Sequence, residues 1–206
     1  MRDSDVRAAV LRSLHDRHAG DTDTRVVQEM GVWSGSVRID IAVINGKLSG
    51  IELKSDSDTL ERLPFQSEIY SRVFDSVELV VGSRHAIRAT ELVPNWWSIT
   101  VAESGDGILE LVPARIGEQN PSQDPMLIAQ LLWKEEALEV LEAMNLARGW
   151  RSKRAKAIHE RLAGELPLPV LLDRVRDRLK RRSAWLGQAL SRPLDVAIDT
   201  DLDPSL

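Results

Sequence analysis

Three polar residues on two neighbouring predicted strands could carry chemistry. Asp40 lies in the segment RIDIAVI, and Glu52 and Lys54 lie in the segment GIELK that follows. Residues two apart share one face of a strand, and charges on a central strand are costly unless they are paired or bound to metal. Two carboxylates and a backbone carbonyl, that of Leu53, make an oxygen site suited to Mg²⁺ or Mn²⁺. The ion would polarise a water and a phosphate, and the lysine could help deprotonate that water or stabilise the developing charge.

The elements that position these residues follow from the hydrophobic periodicity. Alternation over 37–44 predicts a strand with Ile39 and Ile41 on one face and Asp40 on the other. Asn45-Gly46 is typical of a two-residue hairpin turn with positive φ at both positions. The other patterns predict strands over 24–30, 47–54, 77–82 and 96–102, a hairpin-like segment over 103–112, and helices over 3–18, 58–74 and 84–92. Pro64 falls within the second of these helices, so that helix either starts near Leu63 or is kinked there.

The second half of the chain has a different character. Residues 113–125 are rich in Pro, Gly, Asn and Gln and indicate a linker, and helices are predicted over 125–145, 151–164 and 167–182. We therefore predict an α/β fold, a mixed sheet flanked by helices, with a small all-α C-terminal domain. The expected boundaries are a sheet domain over 1–112, the linker over 113–125, a basic helical domain over 126–190 and a flexible acidic tail over 191–206.

The order Asp40, then Glu52-Leu53-Lys54 on the next strand, resembles the signature of the PD-(D/E)XK nuclease superfamily. The resemblance covers roughly residues 1–102 and implies a restriction-endonuclease-like fold. It implies a metal held by Asp40 and Glu52, with Lys54 as catalytic partner. The proline of the signature is absent, because Ile39 precedes Asp40. The whole chain is also similar to a group of small bacterial proteins that join this motif to a helical C-terminal region rich in Leu and Trp.

Gln66 and Tyr70 strengthen the resemblance. They stand four residues apart on the predicted helix after Lys54, hence on one helical face. The pair resembles the Gln-x-x-x-Tyr element of one branch of the superfamily, which implies that both residues support the catalytic site and contact DNA. Glu29, on the strand before Asp40, is a candidate accessory metal ligand, and an exposed carboxylate at a strand end is an equal alternative.

Charge is distributed unevenly along the chain. The net charge is −5, yet residues 148–182 contain twelve Lys or Arg against four Asp or Glu. A basic segment on an acidic body is a candidate phosphate-binding surface, and a solvated helix surface is the alternative. The candidate DNA-binding residues are Arg148, Arg151, Lys153, Arg154, Lys156, Arg181 and Arg182.

These observations favour a Mg²⁺- or Mn²⁺-dependent deoxyribonuclease that hydrolyses phosphodiester bonds, with roles in DNA repair or mobile-element defence among those open. A non-cleaving DNA- or protein-binding module on a nuclease fold is the alternative. A third hypothesis is a homodimer formed through a leucine stripe in 125–182. The N-terminus is charged and no apolar run approaches the roughly 20 residues of a membrane span. We expect a cytoplasmic protein with no membrane partner.

Overall fold

The structure is a computed structural model that describes residues 1–33, 35–105 and 108–183. These residues form one six-stranded mixed sheet and seven α-helices. The strands are β1 (Arg25–Val32), β2 (Val37–Ile44), β3 (Leu48–Lys54), β4 (Ser76–Gly82), β5 (Ser98–Gly105) and β6 (Ile108–Arg115). The helices are α1 (Asp3–Arg17), α2 (Leu63–Tyr70), α3 (Ala86–Leu92), α4 (Pro125–Ala129), α5 (Lys134–Ala143), α6 (Ala155–Glu165) and α7 (Leu168–Arg181).

The strands lie in sequence order across the sheet, from β1 to β6. The pairs β1–β2, β2–β3 and β5–β6 are antiparallel, whereas β3–β4 and β4–β5 are parallel. Parallel neighbours need crossover connections, and α2 and α3 lie within these two crossovers. The predicted α/β class with a mixed sheet is confirmed at this level.

Two hydrophobic clusters cover the two faces of the sheet. On one face α1 packs on the central strands through Val6, Val10 and Leu14. On the other face a larger cluster joins side chains of the sheet and α2 to those of α4, α5, α6 and α7. The leucine stripe proposed for a dimer lies in this cluster, with Leu131 and Leu132 both buried. The predicted division into two domains stays a prediction, although one cluster contains residues of both.

In β2 the regular alternation of side chains between the two faces of the sheet is interrupted at Asp40. Ile39 packs in the larger cluster with α2, whereas Ile41 packs in the cluster with α1. The alternation of side chains in the neighbouring strand β1 is interrupted at the same level. Glu29 lies there between paired residues and has a φ of 54°. The prediction that Ile39 and Ile41 share a face is therefore wrong. The irregularity leaves the Asp40 carboxylate free to bond outside the regular ladder.

The β2–β3 turn is also different from the prediction. Ile44 pairs with Leu48, so three residues form the loop, and neither Asn45 nor Gly46 has a positive φ. The Asn45 side-chain oxygen instead accepts a hydrogen bond from the Lys47 N–H at 2.9 Å, and the Asn45 N–H donates to the Lys47 carbonyl at 2.9 Å. An asparagine side chain that closes a loop in this way replaces the tight turn.

The predicted long helices are shorter or interrupted. The helix predicted over 58–74 is observed only as α2, which begins at Leu63 as one of the two alternatives for Pro64 predicts, and the one predicted over 125–145 is divided into α4 and α5. Trp133 is extended there, and its N–H donates to the Glu136 carboxylate at 2.7 Å, which begins a new helix. Strand β6 extends to Arg115 and so takes three residues of the predicted linker. The predicted tail over 191–206 lies outside the described residues.

No helix in the described part of the chain is long and apolar enough to cross a membrane.

Candidate functional site

Asp40 lies where β2 and β3 separate. The last paired residues of the two strands on this side are Ile41 and Ile51. Beyond them the Asp40 carboxylate takes the place of a backbone acceptor of the β-ladder, because its Oδ2 accepts a hydrogen bond from the Leu53 N–H at 2.8 Å. The carboxylate therefore satisfies a backbone donor that the separating strands would leave unpaired.

Arg7 of α1 occupies the other side of the Asp40 carboxylate. Its Nη2 lies 2.8 Å from Asp40 Oδ1 and 3.1 Å from Glu29 Oε1, and its Nε lies 3.3 Å from Asp3 Oδ2. Burial disfavours the charged guanidinium, but Asp40 and the other two carboxylates outweigh it, so the pKa of Arg7 is raised. Glu29 and Asp40 lie opposite each other in the two strands, and like charges there repel unless a cation separates them. Arg7 is that cation.

Arg7 was not among the residues predicted to lie at this site. A signal was present, because Arg7 stands next to buried Val6 and three residues before buried Val10 on α1. A charged residue beside the buried stripe of an amphipathic helix needs a partner on the surface that the helix covers.

Glu52 and Lys54 lie side by side on β3, and both are buried. Lys54 Nζ lies 2.5 Å from Glu52 Oε1, and Gln66 Nε2 donates to the same oxygen at 2.7 Å. The other carboxylate oxygen, Oε2, is buried without a hydrogen-bond partner in the described part of the chain. Burial, and then the nearby charge of Asp40, raise the pKa of Glu52 to about 7, although Lys54 opposes both effects.

Gln66 and Tyr70 face this pair from α2, as the four-residue spacing predicts. Gln66 Nε2 also lies 3.4 Å from the Tyr70 hydroxyl oxygen. The Tyr70 hydroxyl donates a hydrogen bond to the Arg38 carbonyl of β2, so it ties α2 to that strand. Burial, and then the negative charge of Glu52, raise the pKa of Tyr70, which stays a neutral donor.

The five predicted site residues Asp40, Glu52, Lys54, Gln66 and Tyr70 thus meet at one place, with Glu29 on its α1 side. Their bonding does not fit the predicted open metal site. Both oxygens of Asp40 and one of Glu52 are engaged by Arg7, Leu53 N–H, Lys54 and Gln66. No group of three His, Cys, Asp or Glu able to hold a metal occurs among residues 1–33, 35–105 and 108–183. Binding of Mg²⁺ or Mn²⁺, with the Leu53 carbonyl as a ligand, stays a prediction.

The predicted DNA-binding residues fall into two groups. Arg148, Arg151, Lys153, Arg154 and Lys156 are all exposed, on the loop before α6 and on its first turn. Arg181 is exposed and paired with Asp177 at 2.9 Å. Arg182 is buried; it pairs with Glu136, donates to the Leu131 carbonyl at 2.9 Å and lies over the Trp133 ring. Arg182 therefore holds the helical region together and does not face solvent.

Comparisons with known proteins point away from the nuclease superfamily. A model of the family described as "Bacteriophage P4 protein cII" matches residues 1–196. Protein cII of Enterobacteria phage P4 is 24% identical over 182 residues, which cover 88% of this chain and 68% of that protein. No solved structure matches.

The PD-(D/E)XK assignment is therefore wrong, and so is the metal-dependent deoxyribonuclease activity that followed from it. No comparison indicates a nuclease, a phosphodiester hydrolase or a metal-binding enzyme. The physical reason for the error lies in the cluster itself. The Asp, Glu and Lys stand at the expected spacing, but Arg7 and Lys54 neutralise the carboxylates that the pattern assigned to a metal.

Proposed function

Because the chain belongs to the phage P4 protein cII family, for which no comparison indicates cleavage, we propose that it is a non-cleaving DNA-binding module. The proposal includes a restriction-endonuclease-like arrangement of the sheet, which the hairpin of Asp40 and Glu52 and the helix of Gln66 and Tyr70 support. The observation that carries DNA binding is the exposed basic surface of residues 148–156.

This basic surface, residues 148–156, presents five cations to solvent. Arg151 pairs with Glu142 at 2.8 Å, and Lys156 lies 3.8 Å from Glu160. Arg148, Lys153 and Arg154 make no ion pair within the described ranges. Exposed pairs of this kind contribute little and exchange readily for a phosphate. A cluster of uncompensated cations is the electrostatic feature that attracts a DNA backbone.

The cations of α7 support the fold instead. Arg176 pairs with buried Asp75 at 3.2 Å, and Lys180 pairs with Asp23 at 2.5 Å. Both acidic partners come from the first half of the chain, so these ion pairs attach α7 to the sheet. The charge of 148–182 therefore divides into a mostly paired part on α7, where the exposed Arg174 makes no ion pair with a described residue, and an exposed part on the basic surface.

We exclude cleavage from the proposal because Arg7 occupies the carboxylate cluster around Asp40. An Asp40 carboxylate that bonds Arg7 and the Leu53 N–H has its oxygens directed at those donors. Such a cluster attaches α1 to the sheet by charge-assisted hydrogen bonds. This accounts for the charge of Asp40 on β2 without a catalytic role.

Fluorescence anisotropy with labelled single-stranded and duplex DNA in EDTA tests the proposal. We expect binding that weakens as salt rises, since phosphate contacts release counterions. The triple variant Arg148→Ala, Lys153→Ala, Arg154→Ala should bind less tightly, with a salt slope that is flatter by about 2 to 3 in log Kd against log salt.

The matched control removes three exposed cations elsewhere. Arg12→Ala, Arg17→Ala and Lys47→Ala change the net charge equally but leave the basic surface intact, so their salt slope should stay that of the wild type. Equal loss of affinity in both triple variants would assign the binding to overall charge and contradict the proposed surface. Failure of the wild type to bind either form of DNA would refute the function itself.

A further inference from the structure

An exposed pair of aromatic rings lies beside the Asp40 cluster. Trp33 follows the end of β1, and Phe65 is the third residue of α2, directly before Gln66. Their ring centroids are 6.2 Å apart and their planes are inclined by 52°. Trp33 is 40% exposed and Phe65 is 50% exposed. Two large aromatic faces are thus open to solvent at one place.

The backbone at Trp33 is unfavourable for the residue that occupies it. Its φ is 50°, in the left-handed region that suits glycine or asparagine and is an outlier for a bulky residue. The turn is closed around it by hydrogen bonds from Gly35 N–H to the Val32 carbonyl, 3.1 Å, and from Ser36 N–H to the Trp33 carbonyl, 3.2 Å. A strained residue with an exposed ring indicates that the ring is used at the surface.

The two elements that carry the rings are held together. The Tyr70 hydroxyl of α2 donates to the Arg38 carbonyl of β2, and β2 pairs with β1 up to Val32 and Val37. Trp33 therefore extends from a paired hairpin, and Phe65 extends from a helix bonded to that hairpin. A preorganised pair loses little conformational freedom when a flat ligand stacks on it.

Two exposed arginines stand close to the rings in the chain. Arg38 stands opposite Gly31 on the neighbouring strand, two residues before Trp33, and Arg62 lies one helical turn before Phe65. Neither makes an ion pair with a carboxylate of the described residues. No other large exposed apolar side chain lies on this hairpin or on α2 where the structure describes them. Val37 and Ile39, the neighbours of Arg38 on β2, pack on the side of α2, so Arg38 leaves the sheet on the other face. Arg62 is therefore the exposed cation on the element that carries Phe65.

We propose that Trp33 and Phe65 form a stacking site for an unpaired nucleobase, with the exposed Arg62 binding an adjacent phosphate. Any base offers a flat π-face, and aromatic rings between cations are the usual means of holding single-stranded nucleic acid without sequence preference. Bases inside a duplex are already stacked and do not expose that face. The site therefore favours single-stranded DNA over duplex, and this inference rests on the DNA binding proposed above.

The test separates the base from the backbone. The probes are a labelled oligothymidylate and a strand of the same length with abasic sugars, both measured by anisotropy at one salt concentration. Trp33→Ala and Phe65→Ala should each weaken oligothymidylate binding by roughly 5- to 100-fold and change abasic-strand binding by less than about 2-fold. Trp33→Phe should retain most of the affinity, because it keeps an aromatic face.

Two kinds of control accompany these variants. Ile87→Ala and Ile116→Ala shorten exposed apolar side chains on other segments and should leave both affinities unchanged. Trp33→Asn removes the ring with a residue that tolerates the left-handed backbone, so it should reproduce the loss seen with Trp33→Ala while its thermal unfolding midpoint is at least that of the wild type. A fold defect would instead lower both affinities together.

The outcomes distinguish this inference from the proposed function. If Trp33→Ala and Phe65→Ala bind oligothymidylate as tightly as the wild type, while the triple variant of the basic surface binds less tightly, the stacking site is wrong and DNA binding stands. Equal losses for the oligothymidylate and the abasic strand would also overturn the stacking site. If the wild type binds no DNA at all, the proposed function has failed first.

Discussion

The buried carboxyl of Glu52 should make the stability of this protein depend on pH near neutrality. Its pKa is raised from 4.5 to about 7, first by burial and then by Asp40. Between these values the folded chain holds a proton that the unfolded chain has lost, so the free energy of unfolding falls as pH rises. The contribution is fully present below the unfolded value and is lost as pH rises through 7. At about 1.4 kcal/mol per pKa unit, the loss across the window is about 3 kcal/mol.

Glu52→Gln isolates this contribution. The variant has no titrating group at position 52, and its amide oxygen can still accept from Lys54 and Gln66. At about pH 5 the wild-type carboxyl is protonated, so the neutral amide of the variant is its close counterpart there. By about pH 8 the difference in unfolding free energy should have shifted by about 3 kcal/mol in favour of the variant, because only the wild type has lost the proton. The measurement is urea unfolding followed by circular dichroism at a series of pH values, with m checked for constancy.

Glu91→Gln is the matched control, because Glu91 is exposed on α3. Its curve of unfolding free energy against pH should follow that of the wild type. The result that refutes the reasoning is a Glu52→Gln curve parallel to the wild-type curve from about pH 5 to about pH 8. It would mean that the carboxyl of Glu52 does not exchange its proton in that range.

Three further substitutions test the packing around the cluster, each by urea unfolding. Arg7→Ala leaves the acids around Asp40 without their shared cation and should cost about 2 kcal/mol, of which Asp40→Asn in the same chain should restore part; additive losses would contradict the coupling. Gly82→Ala places a Cβ 2.3 Å from Asp56 Oδ1 and 2.9 Å from its backbone nitrogen, so we expect a loss of about 1–3 kcal/mol, and an unchanged midpoint would show that this turn yields. Tyr70→Phe removes the donor to the Arg38 carbonyl and should cost about 1–2 kcal/mol, whereas no change would mean that water replaces it.

The sheet could be predicted where local pattern and tertiary structure agree. The strand over 37–44 is confirmed at both ends, since alternating apolar residues and polar turns bound it. The helix boundaries were less predictable because capping competes with periodicity. The apolar pattern of 125–145 continues through Trp133, but the Glu136 side chain captures the Trp133 N–H and begins a second helix there. A single side-chain hydrogen bond therefore sets this helix boundary, and hydrophobic periodicity carries no information about that bond.

The candidate site could be predicted only as far as short-range spacing reaches. The shared face of Glu52 and Lys54 follows from strand period, and the shared face of Gln66 and Tyr70 follows from helix period. The contact from Arg7 to Asp40 joins residues 33 apart in the chain, on a helix and a strand whose packing no local pattern specifies. The Trp33–Phe65 pair was missed for the same reason, since it joins a hairpin to a helix.

The Asp40 cluster explains how residue types at the right spacing can indicate the wrong chemistry. A carboxylate that binds a metal must direct its lone pairs toward the ion, whereas Asp40 directs one oxygen at Arg7 and the other at the Leu53 N–H. Glu29, opposite Asp40, adds a second negative charge that the same guanidinium balances. A carboxylate cluster that is free to bind a metal and one that is paired with a cation can have the same sequence motif. The cation that distinguishes them comes from another element of the fold. Substitution of Arg7 is therefore a more direct probe of this site than substitution of the acids themselves.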